Sequence, residues 1–579
     1  MTIFAGIYAT RPNTVLPDVT IEEIRRVICR SSGHTRHEFK STRSFVAVVD
    51  MGAFQSRAIA KRQDGGFTAV VGDPVIKDSG MRRFPDRSGD VEYLRETLNE
   101  GKHTGLLDAC GTFAGVHLHP NGQILSLFVD KIGVRNLYVA VTPDLIVFAT
   151  ALRILEETSI VPRRLDTAAI IEQVALHWPL GRKTPYRDIY MLGPAEIFIC
   201  DGSSNASKTY WHWPDRASSL PSTQLEDCHH SFLSAIEARL TSREPTLAFL
   251  SGGLDSRVIV GGLHELGITA NTVNYAPPGT QDQFFARQFA KRIGSRHCEI
   301  PFERIARSEQ NMVPISAYLL SDATSATVRP GRRIWSGNGG SVGLGHVYMS
   351  ETIVAHMRAG RAKDAIAVYM GEQKQGVTRR PLKRALFAQY VDSPRRGLVA
   401  ELEGIKADDP ARAFYQFLMH NDQRRSLSGV YENIDLHGLE FVLPFFDSEF
   451  LTAVYRIPVE ECIQHRFYNR WLRCFEEPVW NTPWQSYPGH VPCPIEAPLE
   501  LGYQFDQSFS REWDRMIHER RLMRARAMLA SDRFPTDLIS KPIIRLATAL
   551  CHMGSERLNY AIDKGYEYFR YAEKATFSG

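Results

Sequence analysis

Six consecutive residues, Ser251-Gly252-Gly253-Leu254-Asp255-Ser256, bring two glycines, two hydroxyls and a carboxylate into one turn. Leu247-Ala248-Phe249-Leu250 before them reads as a buried strand, and Arg257-Val258-Ile259-Val260-Gly261-Gly262-Leu263 after them can continue as a helix. A strand-to-helix turn of this kind aims main-chain N–H groups and the positive end of a helix at one point above the sheet, which suits a phosphate anion. Gly252 and Gly253 would let the anion approach the backbone, Ser251 and Ser256 would offer hydroxyls, and Leu250 and Leu254 would border the bound group. Asp255 would repel phosphate, so its expected task is to hold a magnesium ion that grips the phosphates. The competing reading is a steric turn in which Asp255 caps the helix.

A second concentration of reactive side chains lies far downstream, in Trp480-Asn481-Thr482-Pro483-Trp484-Gln485-Ser486-Tyr487-Pro488-Gly489-His490-Val491-Pro492-Cys493-Pro494. Aromatic, Pro, Gly and His residues crowded into an irregular stretch could form a substrate wall, with Tyr487 or His490 as proton acceptor. A packed loop without chemistry is an equal alternative.

The elements that must carry these residues change character along the chain. Up to about residue 215, short apolar or alternating runs such as Ser44–Val49, Phe67–Val71, Gly111–Leu118, Ile124–Val129, Leu137–Val141 and Leu145–Thr150, with a hairpin signal at Pro120-Asn121-Gly122, predict a layered β domain. The polar stretch Asp215–Ser222 reads as a linker. Beyond it, Leu225, Phe232, Leu233, Ile236 and Leu240 have helical spacing. Strands at Leu247–Leu250, Ile268–Tyr275 and Arg296–Ile300 then alternate with a helix at Asp282–Ile293, which predicts a parallel sheet with ligands at the carboxyl ends of its strands. Asp282, opening that helix, is expected to cap it or to touch ligand. Residues from about 346 to 435 and the basic segment Arg511–Arg526 read as helical. The arginine pairs 379–380, 395–396 and 424–425 read as solvated helix faces.

Bulk properties set limits. The 579 residues are too many for one core. A net charge of +4 from 69 basic and 65 acidic side chains makes no case for nucleic acid or a membrane surface as partner. Nine cysteines without a CxxC pair predict reduced thiols in a cytoplasmic protein, and no apolar run approaches the roughly 18–20 residues of a membrane span. The first residues lack the pattern of a signal peptide.

Ser251–Ser256 resembles the pyrophosphate-binding loop of the PP-loop ATP pyrophosphatase superfamily. The wider order of segments resembles the asparagine synthetase and β-lactam synthetase family: Asp130–Thr150 and Met191-Leu192-Gly193-Pro194 in the first half, Ser336-Gly337-Asn338-Gly339-Gly340 and Leu443-Pro444-Phe445-Phe446-Asp447 in the second. This implies an α+β Ntn-hydrolase-like amidotransferase domain over 1–215 and an α/β PP-loop synthetase domain with a helical C-terminal part over 222–579. It further implies ATP and Mg2+ as cofactors, Val273 and Tyr275 beside the adenine, and Ser336, Gly337, Asn338 and Gly339 in the nucleotide site. The family's N-terminal cysteine nucleophile is replaced by Thr2, its Asn-Gly-Glu by Val71-Gly72-Asp73, and its second metal-ligand aspartate by Ser341. Lys541 is the candidate for a cation the family carries elsewhere.

These departures imply a first domain without glutaminase activity and an enzyme that adenylates a carboxylate, releases pyrophosphate and couples the acyl group to an amine already present. Macrolactam closure of a lasso peptide is the favoured expectation, with a peptide carrying carboxylate and amine as substrate and a precursor peptide and leader peptidase as partners. The alternatives are an asparagine-synthetase-like enzyme using ammonia or a small amine, and an inactive nucleotide-binding scaffold.

Overall fold

A computed structural model describes residues 2–31, 34–62, 66–120, 122–202, 204–214, 224–306, 311–319, 321, 332–496, 498, 500–503 and 511–576. The expected linker at 215–222 and Asn121 of the expected hairpin lie outside these residues. The fold is mixed, with antiparallel sheets and one parallel sheet. The chain divides into two compact units, one made of Met1–Ser159, Leu192–Glu351 and Leu418–Asp506, the other of Ile160–Met191, Thr352–Phe417 and Gln507–Gly579.

In the first unit, Tyr138–Val141, Leu145–Ala149, Thr2–Ala9, Ser44–Asp50 and Arg36–Lys40 follow one another in an antiparallel sheet. A second antiparallel sheet runs Asn205–Thr209, Glu196–Cys200, Leu125–Val129, Thr112–Leu118, Phe67–Asp73, Ile59–Lys61. Their central strands are buried on both faces, which is why they read as unbroken apolar runs.

The same unit holds a five-stranded parallel sheet in the order His297–Glu299, Ala270–Asn274, Thr246–Phe249, Arg332–Trp335, Leu439–Val442. From the central strand Thr246–Phe249 the chain builds outward to one edge, then returns to add the last two strands on the other side. The order reverses between Thr246–Phe249 and Arg332–Trp335, and an open α/β sheet leaves its ligand crevice at such a point. The apolar run at Leu439 supplies the edge strand. Its four residues are too few for a period to tell strand from helix.

The second unit is largely helical. Ile170, Ile171 and Val174 from helix Thr167–Leu176 share a core with Leu382, Met528, Ile544, Ala547, Ile562 and Phe569. Among the described residues no helix is long and apolar enough to cross a membrane, and all nine cysteines are free thiols.

One charge reading is corrected. Arg379, Arg380, Arg395 and Arg396 are exposed, but Arg424 and Arg425 are buried. Arg424 donates to the carbonyls of Gly133 and Leu192, and burial pushes its pKa down to about 9. Carbonyls that come from other elements are invisible in a local charge pattern.

Candidate functional site

The loop after Thr246–Phe249 is built from internal hydrogen bonds. Ser251 N–H donates to Ser256 Oγ (2.8 Å), the two hydroxyls lie 2.9 Å apart, and Gly253 N–H donates to Ser251 Oγ (3.3 Å). Asn274 donates both to the Leu250 carbonyl and to Asp282 Oδ1, each at 2.8 Å, and Gly252 N–H reaches the same carboxylate. Asp282 therefore does not cap its own helix, Gln281–Arg292, whose cap is the Thr280 hydroxyl. A buried carboxylate that accepts from two neighbouring segments ties the loop to the next strand and helix.

The two glycines have separate tasks. A Cβ on Gly252 would stand 2.6 Å from Asp282 Cα, so that glycine permits close packing against helix Gln281–Arg292. A Cβ on Gly253 would meet only Ser251 Oγ, at 3.5 Å, so this is where the backbone lies open. Helix Leu254–Glu265 begins directly after Gly253. Its first-turn N–H groups have no partner further back in the helix. Gly253 occupies the cap position and Asp255 lies inside the first turn, so Asp255 is no helix cap.

Asp255 is instead the centre of a network. Its Oδ2 accepts from Ser341 N–H (2.9 Å) and Ser341 Oγ (2.6 Å), and its Oδ1 accepts from the Tyr468 hydroxyl (2.9 Å). Burial raises its pKa to about 6 against the opposing pull of these donors. The turn after Arg332–Trp335 is pressed onto the same spot. A Cβ on Gly337 would meet Ser256 N at 2.6 Å, and one on Gly340 would meet Asp255 Cγ at 2.6 Å. Gly339 turns the chain at φ +96, while Asn338 is exposed and donates to Ser336 Oγ (2.5 Å).

A resident magnesium ion does not fit these donors. Three hydrogen bonds converge on the two oxygens of Asp255, and Ser341 offers a neutral hydroxyl already given to that carboxylate. Among the described residues the one cluster of three acidic or thiol groups is Cys110, Asp447 and Glu449, and Lys77 bridges its two carboxylates at 3.0 and 3.1 Å.

A cavity beside Asp255 is lined by Ser251, Gly253, Ser341, His465, Tyr487 and His490, among others. Its wall is the segment expected from the aromatic and proline content, held by long-range contacts. Gln485 N–H donates to the Gly252 carbonyl (2.9 Å). Arg257, fully buried, donates to the carbonyls of Val479, Thr482 and Pro483, and burial lowers its pKa to about 9. His465 stacks on Tyr487 (centroids 5.5 Å apart, 12° between planes), and its Nδ1 lies 2.8 Å from Nδ1 of His490. Burial, then His490, pushes His465 to about 3, and burial lowers His490. Tyr487, hydrogen-bonded to Ser341, is raised to about 12 by burial and the charge of Asp255.

The structure thus brings Ser251, Gly253, Leu254, Asp255, Tyr487 and His490 to one cavity. Leu250, Gly252 and Ser256 brace the loop, and Ser336–Gly339 form its neighbour. Val273 is buried in the sheet, and Tyr275, partly exposed, meets Phe249 edge-on at 5.7 Å. Lys541 belongs to the second unit, with Nζ 5.1 Å from the centre of the Phe534 ring, and does not line this cavity. Thr2 is buried, and its hydroxyl accepts from Arg87, which also pairs with Asp50 (2.9 Å). Sequence reasoning missed Tyr468, His465 and Asn469. The three-residue spacing of His465 and Tyr468, one face of a helical turn, was the available signal.

Residues 228–319 match the sequence model of the family described as asparagine synthase. The chain is similar to amidase chry2 of Gibberella zeae, 27% identical over 157 residues, covering 26% of this chain and 23% of that protein. It is also similar to amidase chyE of Penicillium rubens, 24% identical over 162 residues, covering 27% and 24%. The matches span about a quarter of these relatives' length. Among solved structures, the allosteric regulatory enzyme of purine biosynthesis gives a TM-score of 0.26 at 11% identity over 47% of this chain and 65% of its own. Glutamine phosphoribosylpyrophosphate amidotransferase from B. subtilis gives 0.26 at 11% over 58% and 82%. Both scores are too low to establish a shared fold. The turn, Asp255 and Asp282 all lie within the segment that matches the asparagine synthase model.

Proposed function

We propose that the protein is an ATP-dependent amide-forming ligase that adenylates a substrate carboxylate, releases pyrophosphate and couples the acyl group to an amine without hydrolysing glutamine. The observation that carries this reading is the Gly253 opening at the start of helix Leu254–Glu265, placed where the parallel strand order reverses and beside the Asp255 cavity. In the reaction, a carboxylate oxygen attacks the α-phosphorus of ATP and pyrophosphate leaves toward the first-turn N–H groups, which offset its developing charge. The amine then attacks the acyl carbon, AMP departs, and the proton released from nitrogen passes to His490. That imidazole suits the task, because burial lowers its pKa and keeps the ring neutral near physiological pH. Holding both reactants in one cavity supplies further acceleration.

Magnesium belongs in this scheme to the nucleotide substrate and not to a protein cage. The Thr2 hydroxyl, buried under Arg87, supports a first domain without glutaminase chemistry. Macrolactam closure of a peptide is the preferred reaction, because the carboxylate and the amine then arrive on one molecule. The named relatives are amidases, so chemistry at an amide bond is common to both sides. One observation favours a second reading, a nucleotide-binding scaffold: the hydrogen bonds of Ser341 and Tyr468 already occupy Asp255. Incubation with ATP and a peptide bearing one side-chain carboxylate and a free N-terminus decides between them. Peptide-dependent formation of AMP and pyrophosphate supports the ligase. Release with aspartate and ammonia supports a synthetase of small metabolites. ATP binding without turnover on any carboxylate supports the scaffold, and formation of ADP overturns the ligase.

A further inference from the structure

Two imidazoles meet in the cavity wall. His465 Nδ1 lies 2.8 Å from His490 Nδ1, so one ring donates an N–H and the other accepts it. The two rings are not equivalent. His465 is 4% exposed and is stacked between Tyr468 (centroids 5.7 Å apart, 26° between planes) and Tyr487. Its edge lies against Gly345, whose missing side chain makes the room. Its carbonyl accepts from Asn469 Nδ2 (2.8 Å), and its backbone sits in the left-handed region at φ 60, a conformation that residues with a Cβ seldom adopt. His490 is half-buried and closes a turn in which its N–H donates to the Tyr487 carbonyl (3.1 Å), while Val491 N–H donates to the Gln464 carbonyl (3.1 Å). These main-chain bonds hold the two segments together whether or not the imidazoles share a proton.

This asymmetry decides where a proton goes. An imidazolium at His465 would lie deeper than one at His490, and burial penalises the charged form, so the first proton taken up by the pair lodges on His490. His490 then carries hydrogen on both nitrogens and donates Nδ1–H to His465, which accepts there as the neutral ring. Burial and His490 together keep His465 neutral, with a pKa of about 3. A neutral partner that accepts at Nδ1 leaves the His490 Nε2 lone pair for the cavity that both rings line.

We infer that His465 is the positioning residue for the base: it accepts Nδ1–H of His490, holds the tautomer whose Nε2 takes the proton of the amine, and stabilises the imidazolium that results. As the amine nitrogen bonds to the acyl carbon, the bond from that carbon to the AMP oxygen breaks and AMP keeps the electron pair. The amine proton moves to His490 Nε2, His465 changes neither proton nor charge, and the proton passes to solvent when product leaves. The inference rests on the ligase reading for the identity of the reacting amine, and on the paired imidazoles for the tautomer. The other titratable groups packed around the pair are Tyr468 and Tyr487 against His465, Asp255 beyond Tyr468, Tyr348 and Tyr503 near Tyr487, and Arg466, which is turned to Glu351 and Gln464.

The test reads the ring nitrogens directly. In histidine-labelled protein, the nitrogen NMR signals of His490, assigned by their loss in His490→Phe, should show hydrogen on Nδ1 and a bare Nε2 at neutral pH. In His465→Phe, which fills the stack and cannot accept, the His490 titration should fall by about one pH unit, because the imidazolium loses its acceptor. Loosening of the wall alone would admit water and raise it instead. His465→Asn, with an acceptor oxygen on the same branch as Nδ1, should keep His490 near its native titration. With ATP and a peptide bearing one side-chain carboxylate and a free N-terminus, His465→Phe should slow amide formation about tenfold and leave pyrophosphate exchange intact. Added to His490→Phe it should cost nothing further, since it acts only through that ring. Hydrogen found on Nε2 of native His490, a titration that rises in His465→Phe, or a further rate loss in the double variant overturns the proposal. Absence of amide formation with every carboxylate sinks the ligase reading alone, because the tautomer and the titration are read without turnover.

Discussion

Asp255 accepts three hydrogen bonds from two distant segments, so its removal loosens Ser341 and Tyr468 together. Asp255→Ala should reduce pyrophosphate release by about a hundredfold or more, measured with ATP and saturating carboxylate. The group also has a pH signature. In the unfolded chain it titrates near 3.8 and in the fold near about 6, so its contribution to stability is complete below the first value and is lost as pH rises through the second. Asp255→Asn cannot ionise, so its melting temperature should gain on that of the native protein as pH rises across this window and should match it in acid. A gain in acid instead would reverse the sign of the argument. His490→Phe should leave pyrophosphate exchange intact and slow amide formation by about tenfold to a hundredfold, because the imidazole acts on the amine. Thr2→Ala should leave pyrophosphate release unchanged.

At the scale of elements, the strand–turn–helix unit is rigid because Gly252 allows contact with helix Gln281–Arg292 and Gly337 allows contact with the first turn of helix Leu254–Glu265. Gly252→Ala should therefore shift the loop and lower pyrophosphate release by about a hundredfold, with a smaller loss of thermal stability. Gly253→Ala, with room for its Cβ, should fold normally and weaken nucleotide binding. This unit could be read from sequence because its glycines, hydroxyls and carboxylate are contiguous and follow an apolar run. The partners of Asp255 could not. Tyr468 is 213 positions away, and Ser341, recognised as a departure from an acidic pattern, reveals its hydrogen bonds only when two turns meet. Of the two tasks expected of Asp282, the structure removes only the helix cap. An acidic residue at a helix start looks like a cap until the hydroxyl of Thr280 takes that place. Burial of Arg424 and Arg425 escaped notice because a guanidinium satisfied by distant carbonyls has the same local sequence as a solvated one.

For the whole molecule, every residue that lines the Asp255 cavity comes from the first unit. Nucleotide binding should slow amide hydrogen exchange in Ser251–Ser256 and Gln485–His490 and leave helices Lys541–His552 and Asn559–Ala572 unchanged. Protection that reaches Lys541 would bring that side chain back as a participant. The succession of β layers, parallel sheet and helices was legible because each has its own period. The division into units was not, because residues 160–191 sit between strands of the first unit in sequence yet share a core with residues beyond 520.

That interleaving governs how the protein must be synthesised. Helix Thr167–Leu176 leaves the ribosome with its apolar face complete, and Ile544, Ile562 and Phe569 follow almost four hundred residues later. Leu382 and its neighbours cover part of that face about two hundred residues after it emerges, and the rest of the core closes over Ile170, Ile171 and Val174 only with the last helices, so until then the nascent chain is open to chaperone capture.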